Sequence, residues 1–222
     1  MLHATSTLTT NLTITEATLA QKKSSLFLQK ETDSIVKVYS QSVNLEKTAV
    51  ATSTTGIIID QTGLILTAYN EHPQNKRLVV ALTEKEFETA TIIGHIPEIG
   101  LTLLQLNRLS KNIPTAMVGR LDGLSIGDDI QVFNGREKSY KGKVTGKTAR
   151  RSFQLHGKII NYLTVETIEK QTQLTGPLFN AKEELIGFVG AHLLTGGNGK
   201  MGIAVEMDTI HNLVAEKISY YA

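Results

Sequence analysis

The sequence predicts an all-β chain that closes on a single helix, and three observations carry that reading. Short runs of alternating apolar and polar residues follow one another from Ser34 to Glu206, with the period of strands that bury one face. Turn residues punctuate them, most strongly Gly196-Gly197-Asn198-Gly199,. Helical spacing is clear in one place, where Ile210, Leu213, Val214 and Ile218 follow Asp208, a candidate N-cap,. Many short strands of this kind build a barrel or a sandwich.

In chain order, residues 1–33 are polar and Thr-rich and read as an N-terminal arm, partly ordered or helical. SIVKVYS (34–40) alternates and starts the first strand. GIIID (56–60) and LILTAY (64–69) flank Gln61-Thr62-Gly63 and form a hairpin,. RLVVALT (77–83) and ETATIIG (88–94) form a second hairpin across Glu84-Lys85-Glu86, and LTLLQL (101–106) adds a strand. The pattern loosens at 108–118, around Asn112 and Pro114, which divides the globular part into 34–115 and 116–222. The second part repeats the style in DIQVFN (129–134), YKGKVTGKTA (140–149), IINYLTVET (159–167), PLFN (177–180), ELIGFVGAHL (184–193) and KMGIAVE (200–206).

Composition narrows the functional classes. At 222 residues with 41% hydrophobic and 20% charged side chains, the chain has enough apolar material for a sizeable core,. Twenty-three basic against 21 acidic residues give a net charge of +2, no basis for attraction to nucleic acid or an anionic membrane,. Aromatics are 5% with no Trp, which disfavours base stacking,. With no Cys, disulfides, thiolate metal sites and cysteine nucleophiles are excluded,. No apolar run approaches the roughly 18–20 residues that span a bilayer. The first residues lack the basic and apolar regions of a secretory signal,.

The ordered motifs resemble one family. GIIIDQTGLILTAYN (56–70) is similar to the "G-x-I-I-D-x-x-G-x-I-L-T-N-x-H" stretch of HtrA/DegP-type, trypsin-like serine proteases. ATIIGHIPEIGLTLLQL resembles the segment that carries their catalytic aspartate. LSIGDDIQVFN resembles "L-x-V-G-D-x-V-x-A-I-G-N", and TGPLFNAKEELIGFVG resembles "S-G-G-P-L-x-N-x-x-G-x-V-I-G-I". GIAVEMDTIHNLV resembles the run into the terminal helix. The match extends over roughly residues 34–218, in order and with near-identical spacing. It implies two antiparallel six-stranded β-barrels, 34–115 and 116–222, with a C-terminal helix and a cleft between the barrels. It also implies an extracytoplasmic site, in the periplasm or cell envelope, with an anchor or signal outside this sequence; a cytoplasmic site is the alternative.

The same alignment puts Asn70 at the position of the family's base, Gly100 at its aspartate and Leu174 at its serine. His72 lies two residues past Asn70, a displacement of roughly 6–7 Å along a strand. The oxyanion loop reads Thr172-Gln173-Leu174-Thr175-Gly176, with Thr where the family has Gly, which disfavours positive φ,. A triad acts as one unit, so the expectation is a pseudoprotease: not an enzyme, no catalytic residues, and a protein- or peptide-binding scaffold. The strand-addition mode of the family implies a peptide surface at Thr172, Gln173, Leu174, Thr175, Gly190, Ala191 and His192. An alternative is a hydrolase rebuilt on Thr175 and His192, another a structural subunit of an envelope-associated assembly or homo-oligomer.

No cofactor or metal is expected, because His72 and His95 fall in no ligand spacing such as HxH or HExxH,. The basic cluster Lys141, Lys143, Lys147, Arg150 and Arg151 reads as a solvated sheet edge protected by lysines,. The expected partner is therefore a protein or extended peptide, with no nucleic acid.

Overall fold

The computed structural model describes residues 32–43, 49–68, 77–96, 100–109, 113–120, 123–148, 162–168, 174–190, 201–212 and 215. The arm expected at 1–33, apart from 32–33, and the turn expected at 196–199 lie outside the described residues.

Twelve strands are formed among them: β1 (Ile35–Val43), β2 (Ala49–Ile58), β3 (Leu64–Thr67), β4 (Arg77–Ala81), β5 (Phe87–Ile96), β6 (Leu101–Leu106), β7 (Asp129–Phe133), β8 (Ser139–Thr148), β9 (Tyr162–Thr167), β10 (Gly176–Asn180), β11 (Leu185–Val189) and β12 (Met201–Glu206). They close into two antiparallel barrels, in the order β1-β2-β3-β6-β5-β4 and β10-β11-β12-β9-β8-β7. Residues 207–212 are helical. The expected all-β architecture of two six-stranded barrels followed by a C-terminal helix is what the chain adopts. The helix begins one residue before Asp208, and residues 213–214 and 216–218 of its expected span lie outside the described residues.

Strand periodicity assigns each side chain to one of three apolar clusters. Val36 and Val38 of β1, Ile65 of β3, Val80 of β4 and Leu104 of β6 fill the first barrel. Val132, Val144, Val165, Leu178 and Ala204 fill the second. The alternate residues point outward and meet. Ile35, Ile57, Leu66, Leu101 and Leu103 pack with Phe133, Phe179, Leu185, Phe188 and Val205 in one seam between the barrels. Phe133 and Phe179 meet edge to face at 5.3 Å and 78°,. Met207 and Ile210 bring the helix onto the same seam. Each such side chain, fully buried, stabilises by about 1.5–3 kcal/mol, so the seam binds the barrels into one body.

Three bulges shift this alternation, one of them at Thr145 of β8, between Val144 and Gly146. Between Ile92 and Gly94 the register of β5 slips against β6, so Ile93 is the extra residue,. Ala90 and Ile92 face the barrel interior before it, and Ile93 and Ile96 face the seam after it. In β11, Leu178 pairs with Gly187 but Phe179 pairs with Leu185, so Ile186 is extra. Leu185 and Phe188 can then both reach the seam while Ile186 and Val189 fill the barrel.

Residues 113–120 connect the barrels and bond to both. The Ala116 amide donates to the Ile58 carbonyl at 3.0 Å, and the Gly119 amide to the Leu185 carbonyl at 2.9 Å. The Leu185 amide returns to the Met117 carbonyl at 2.7 Å. At Gly119 a Cβ would come within 2.5 Å of the Glu184 Cβ, so the close approach needs glycine,.

Candidate functional site

Three chain segments carry the positions singled out in the sequence; strand pairing joins the ends of two of them, and a hydrogen bond across the barrels leads to the third. β3 ends at Thr67, three residues before Asn70. Thr67 pairs with Thr102, two residues after Gly100, and with Gly56 of β2. The Thr67 hydroxyl donates to the Thr55 carbonyl at 2.8 Å, both residues buried. The Thr55 hydroxyl in turn donates to the Asn134 Oδ1 of the second barrel at 3.3 Å. Phe133, next to Asn134, has its carbonyl oxygen only 1.9 Å from where a Cβ on Gly176 would stand. Gly176 has φ +138°, so both conformation and contact require glycine there,. The start of β10 thus lies against the end of β7, which touches β2.

Within this frame Gly100 is buried in a turn at φ +65°. It supplies no side chain, and only Gly, or Asn and Asp to a lesser degree, adopts that conformation readily. Leu174 is 2% exposed and belongs to the interior cluster of the second barrel. Its Cδ2 lies over the bare backbone of Gly202, 3.0 Å from where a Cβ would be. The side chain therefore points into the barrel and offers no surface to a peptide. Thr175 is half-buried, and Gly190 is buried directly after β11. Asn70, His72, Thr172, Gln173, Ala191 and His192 lie outside the described residues, as do Arg150 and Arg151.

His95 faces the barrel side of β5 after the bulge, and a ring nitrogen is 2.8 Å from the Thr102 hydroxyl. Among the described residues no three His, Asp or Glu side chains gather as metal ligands. The lysines of β8 do not lie on a sheet edge, contrary to expectation, because β8 is paired on one side with β7 and on the other with β9. Lys143 instead bonds Asp129 at 2.7 Å and stands opposite Glu166. The Lys143 hydrogen bond, and then its charge, hold the Asp129 carboxyl below its ordinary value,. In the seam, burial pushes the Tyr162 phenol up to about 12, so it stays neutral across the physiological range,.

Of the polar residues that join the barrels, Arg136 carries no signal in the sequence. Arg136, in the β7–β8 hairpin, donates to three main-chain carbonyls of the first barrel: Ile35 through Nε at 2.6 Å, Asp33 through Nη2 at 3.0 Å, and Leu82 through Nη2. Its acceptors are backbone atoms, which no residue type announces. Asn134 stands where the motif "A-I-G-N" ends, which was the one available pointer to it.

No protein-family model matches the chain. Among curated proteins, a "Probable periplasmic serine endoprotease DegP-like" of Pseudomonas putida is 24% identical over 153 residues, 67% of this chain and 31% of that protein. One of the same description from Ectopseudomonas mendocina is 25% identical over 151 residues, 67% and 31% respectively. Another from Chlamydia muridarum is 27% identical over 168 residues, 74% and 32%. The chain spans about a third of the length of these curated relatives. It is similar to DegP-like serine endoproteases over about 70% of its own length, and its two barrels fit the trypsin-like fold. The expectation of a non-enzyme is corrected by this comparison: the relatives are named as serine endoproteases, so at 24–27% identity they point to a protease.

Proposed function

We propose that this chain is a protease-like domain of the HtrA/DegP kind that takes hold of protein or extended peptide beside the start of β10 and the end of β11. The observation that carries the reading is the pair of closed barrels joined by one apolar seam, in a chain similar to serine endoproteases over most of its length. Strand addition needs unpaired backbone. Among the described residues the β11–β12 ladder runs from Gly187 to Val189, opposite Ala204 to Glu206. In this reading the peptide pairs beyond Val189, at Gly190 to His192, and against the main chain of Thr172 to Thr175. The same surface would serve to scaffold a partner protein. The relatives' description as periplasmic supports an extracytoplasmic location.

A second reading, favoured by those relatives' names, is that the bound polypeptide is cleaved. The hydroxyl would be that of Thr175, half-buried beside Leu174, with His192 as its base, since Asn70, Gly100 and Leu174 hold none of the groups acyl transfer uses,.

The test is a titration of a labelled, unfolded polypeptide into the chain, followed by anisotropy, with fragments assayed on the same samples. Saturable binding is expected. Its absence would end the first reading. Fragments that persist in both Thr175→Ala and His192→Ala would end the second.

A further inference from the structure

We infer that the groove under the β7–β8 hairpin is a second binding site, for an acidic peptide segment. It lies on the first barrel's outer face; it shares Thr55 and Asn134 with the frame described above but takes in none of the residues from Thr172 to His192. On β1 and β2, residues opposite each other share one face. Lys37 pairs with Thr55 and Tyr39 with Ser53, while Val36 and Val38 turn inward. These four outward residues floor a cavity of about 600 Å³. The second barrel roofs it with residues 134–138, and Phe87 of β5, 55% exposed, lines its side.

The groove is built rather than incidental. Gly135, at φ +92°, turns the hairpin, and Arg136 fixes it by bonding the carbonyls of Asp33, Ile35 and Leu82 on the opposite barrel. Carbonyl acceptors leave the guanidinium's positive charge in place. The Lys37 ammonium lies 5.4 Å from the Tyr39 ring centroid, and the Lys138 ammonium 5.3 Å from that of Tyr140. Each ring restrains its cation. Three cations, Lys37, Arg136 and Lys138, line the space against two carboxylates, Glu84 and Glu137. The Ser53 hydroxyl, on the same face as Lys37 and Tyr39, adds a donor that suits a carboxylate,. Held positive charge, a hydroxyl donor and an apolar flank together match aspartate or glutamate side chains on an extended chain.

The probe is a fluorescein-labelled hexaglutamate peptide, with hexalysine and an uncharged hexapeptide for comparison. Hexaglutamate should bind best, and more weakly as salt rises. Lys37→Glu should weaken it by about tenfold or more, Lys37→Arg by much less, as for a charge at a binding rim. Lys141→Glu, a reversal on the second barrel's outer face, should leave binding unchanged. Hexaglutamate should not displace the unfolded polypeptide of the proposed function, which separates failure of one site from failure of the other. Equal binding of all three peptides, an unaffected Lys37→Glu variant, or an equal loss in Lys141→Glu would overturn the inference.

Discussion

The Nε of Arg136 donates to the main-chain carbonyl of Ile35 at 2.6 Å, tying a hairpin of one barrel to the first strand of the other. Hydrogen bonds from a charged donor contribute about 1.5–3 kcal/mol each, and buried carbonyls left alone add a penalty. Arg136→Ala should therefore destabilise the chain by about 2–4 kcal/mol, read as a lower midpoint in urea. Arg136→Lys, lacking the planar fork, should recover less than half of that loss.

Leu174 fills space inside the second barrel, so truncating it leaves a cavity. Leu174→Ala should cost about 2–5 kcal/mol. Leu174→Ser introduces the residue type that the resemblance implies at this position but sets a hydroxyl among hydrocarbon, and it should cost at least as much. Because the side chain points inward, Leu174→Ser should bring no gain in peptide cleavage. A stable, newly active Leu174→Ser variant would contradict the placement described here.

Gly176 tolerates no side chain, with the Phe133 carbonyl 1.9 Å from a Cβ. Gly176→Ala should lower stability by about 3 kcal/mol or more, through a backbone clash and a disfavoured φ together. Gly146→Ala is the control. A Cβ there meets nothing closer than 3.5 Å, and the change should be within about 1 kcal/mol of neutral.

Tyr162 links stability to alkaline pH. Its phenol ionises at about 12 when folded, against an ordinary 10.0. Between those values the unfolded chain has lost a proton that the folded chain keeps, so stability falls as pH rises. The loss should approach the order of 2–3 kcal/mol once pH passes the folded value. Urea titrations at pH 9, 10 and 11, compared with Tyr162→Phe, should show the steeper decline only in the parent chain.

Much of the fold was legible because alternation reports burial directly. LILTAY and LTLLQL became β3 and β6, paired from Leu64–Gln105 to Thr67–Thr102. The polar run Thr52 to Thr55 of β2 gave no strand signal, because it lacks apolar alternation and Ser53 and Thr55 line the groove instead of a core. Ile93 and Ile186 were unreadable as bulges, since an extra residue changes register without changing composition. The site was legible only where a residue type dictates conformation. The turn into β3 is an example: Asp60 Oδ1 accepts from the Thr62 amide at 2.8 Å and its hydroxyl at 2.6 Å, and Gly63 takes φ +80°,. Leu174 could be aligned with a nucleophile but its direction could not be read, because that depends on what lies across the barrel.

The bonds of residues 113–120 to Ile58 and Leu185 leave the two halves no slack for a hinge. To swing one half against the other, several main-chain bonds would have to open together with the apolar contact beneath them. A polypeptide bound as proposed would then meet a fixed pair of barrels, with the central splint shut.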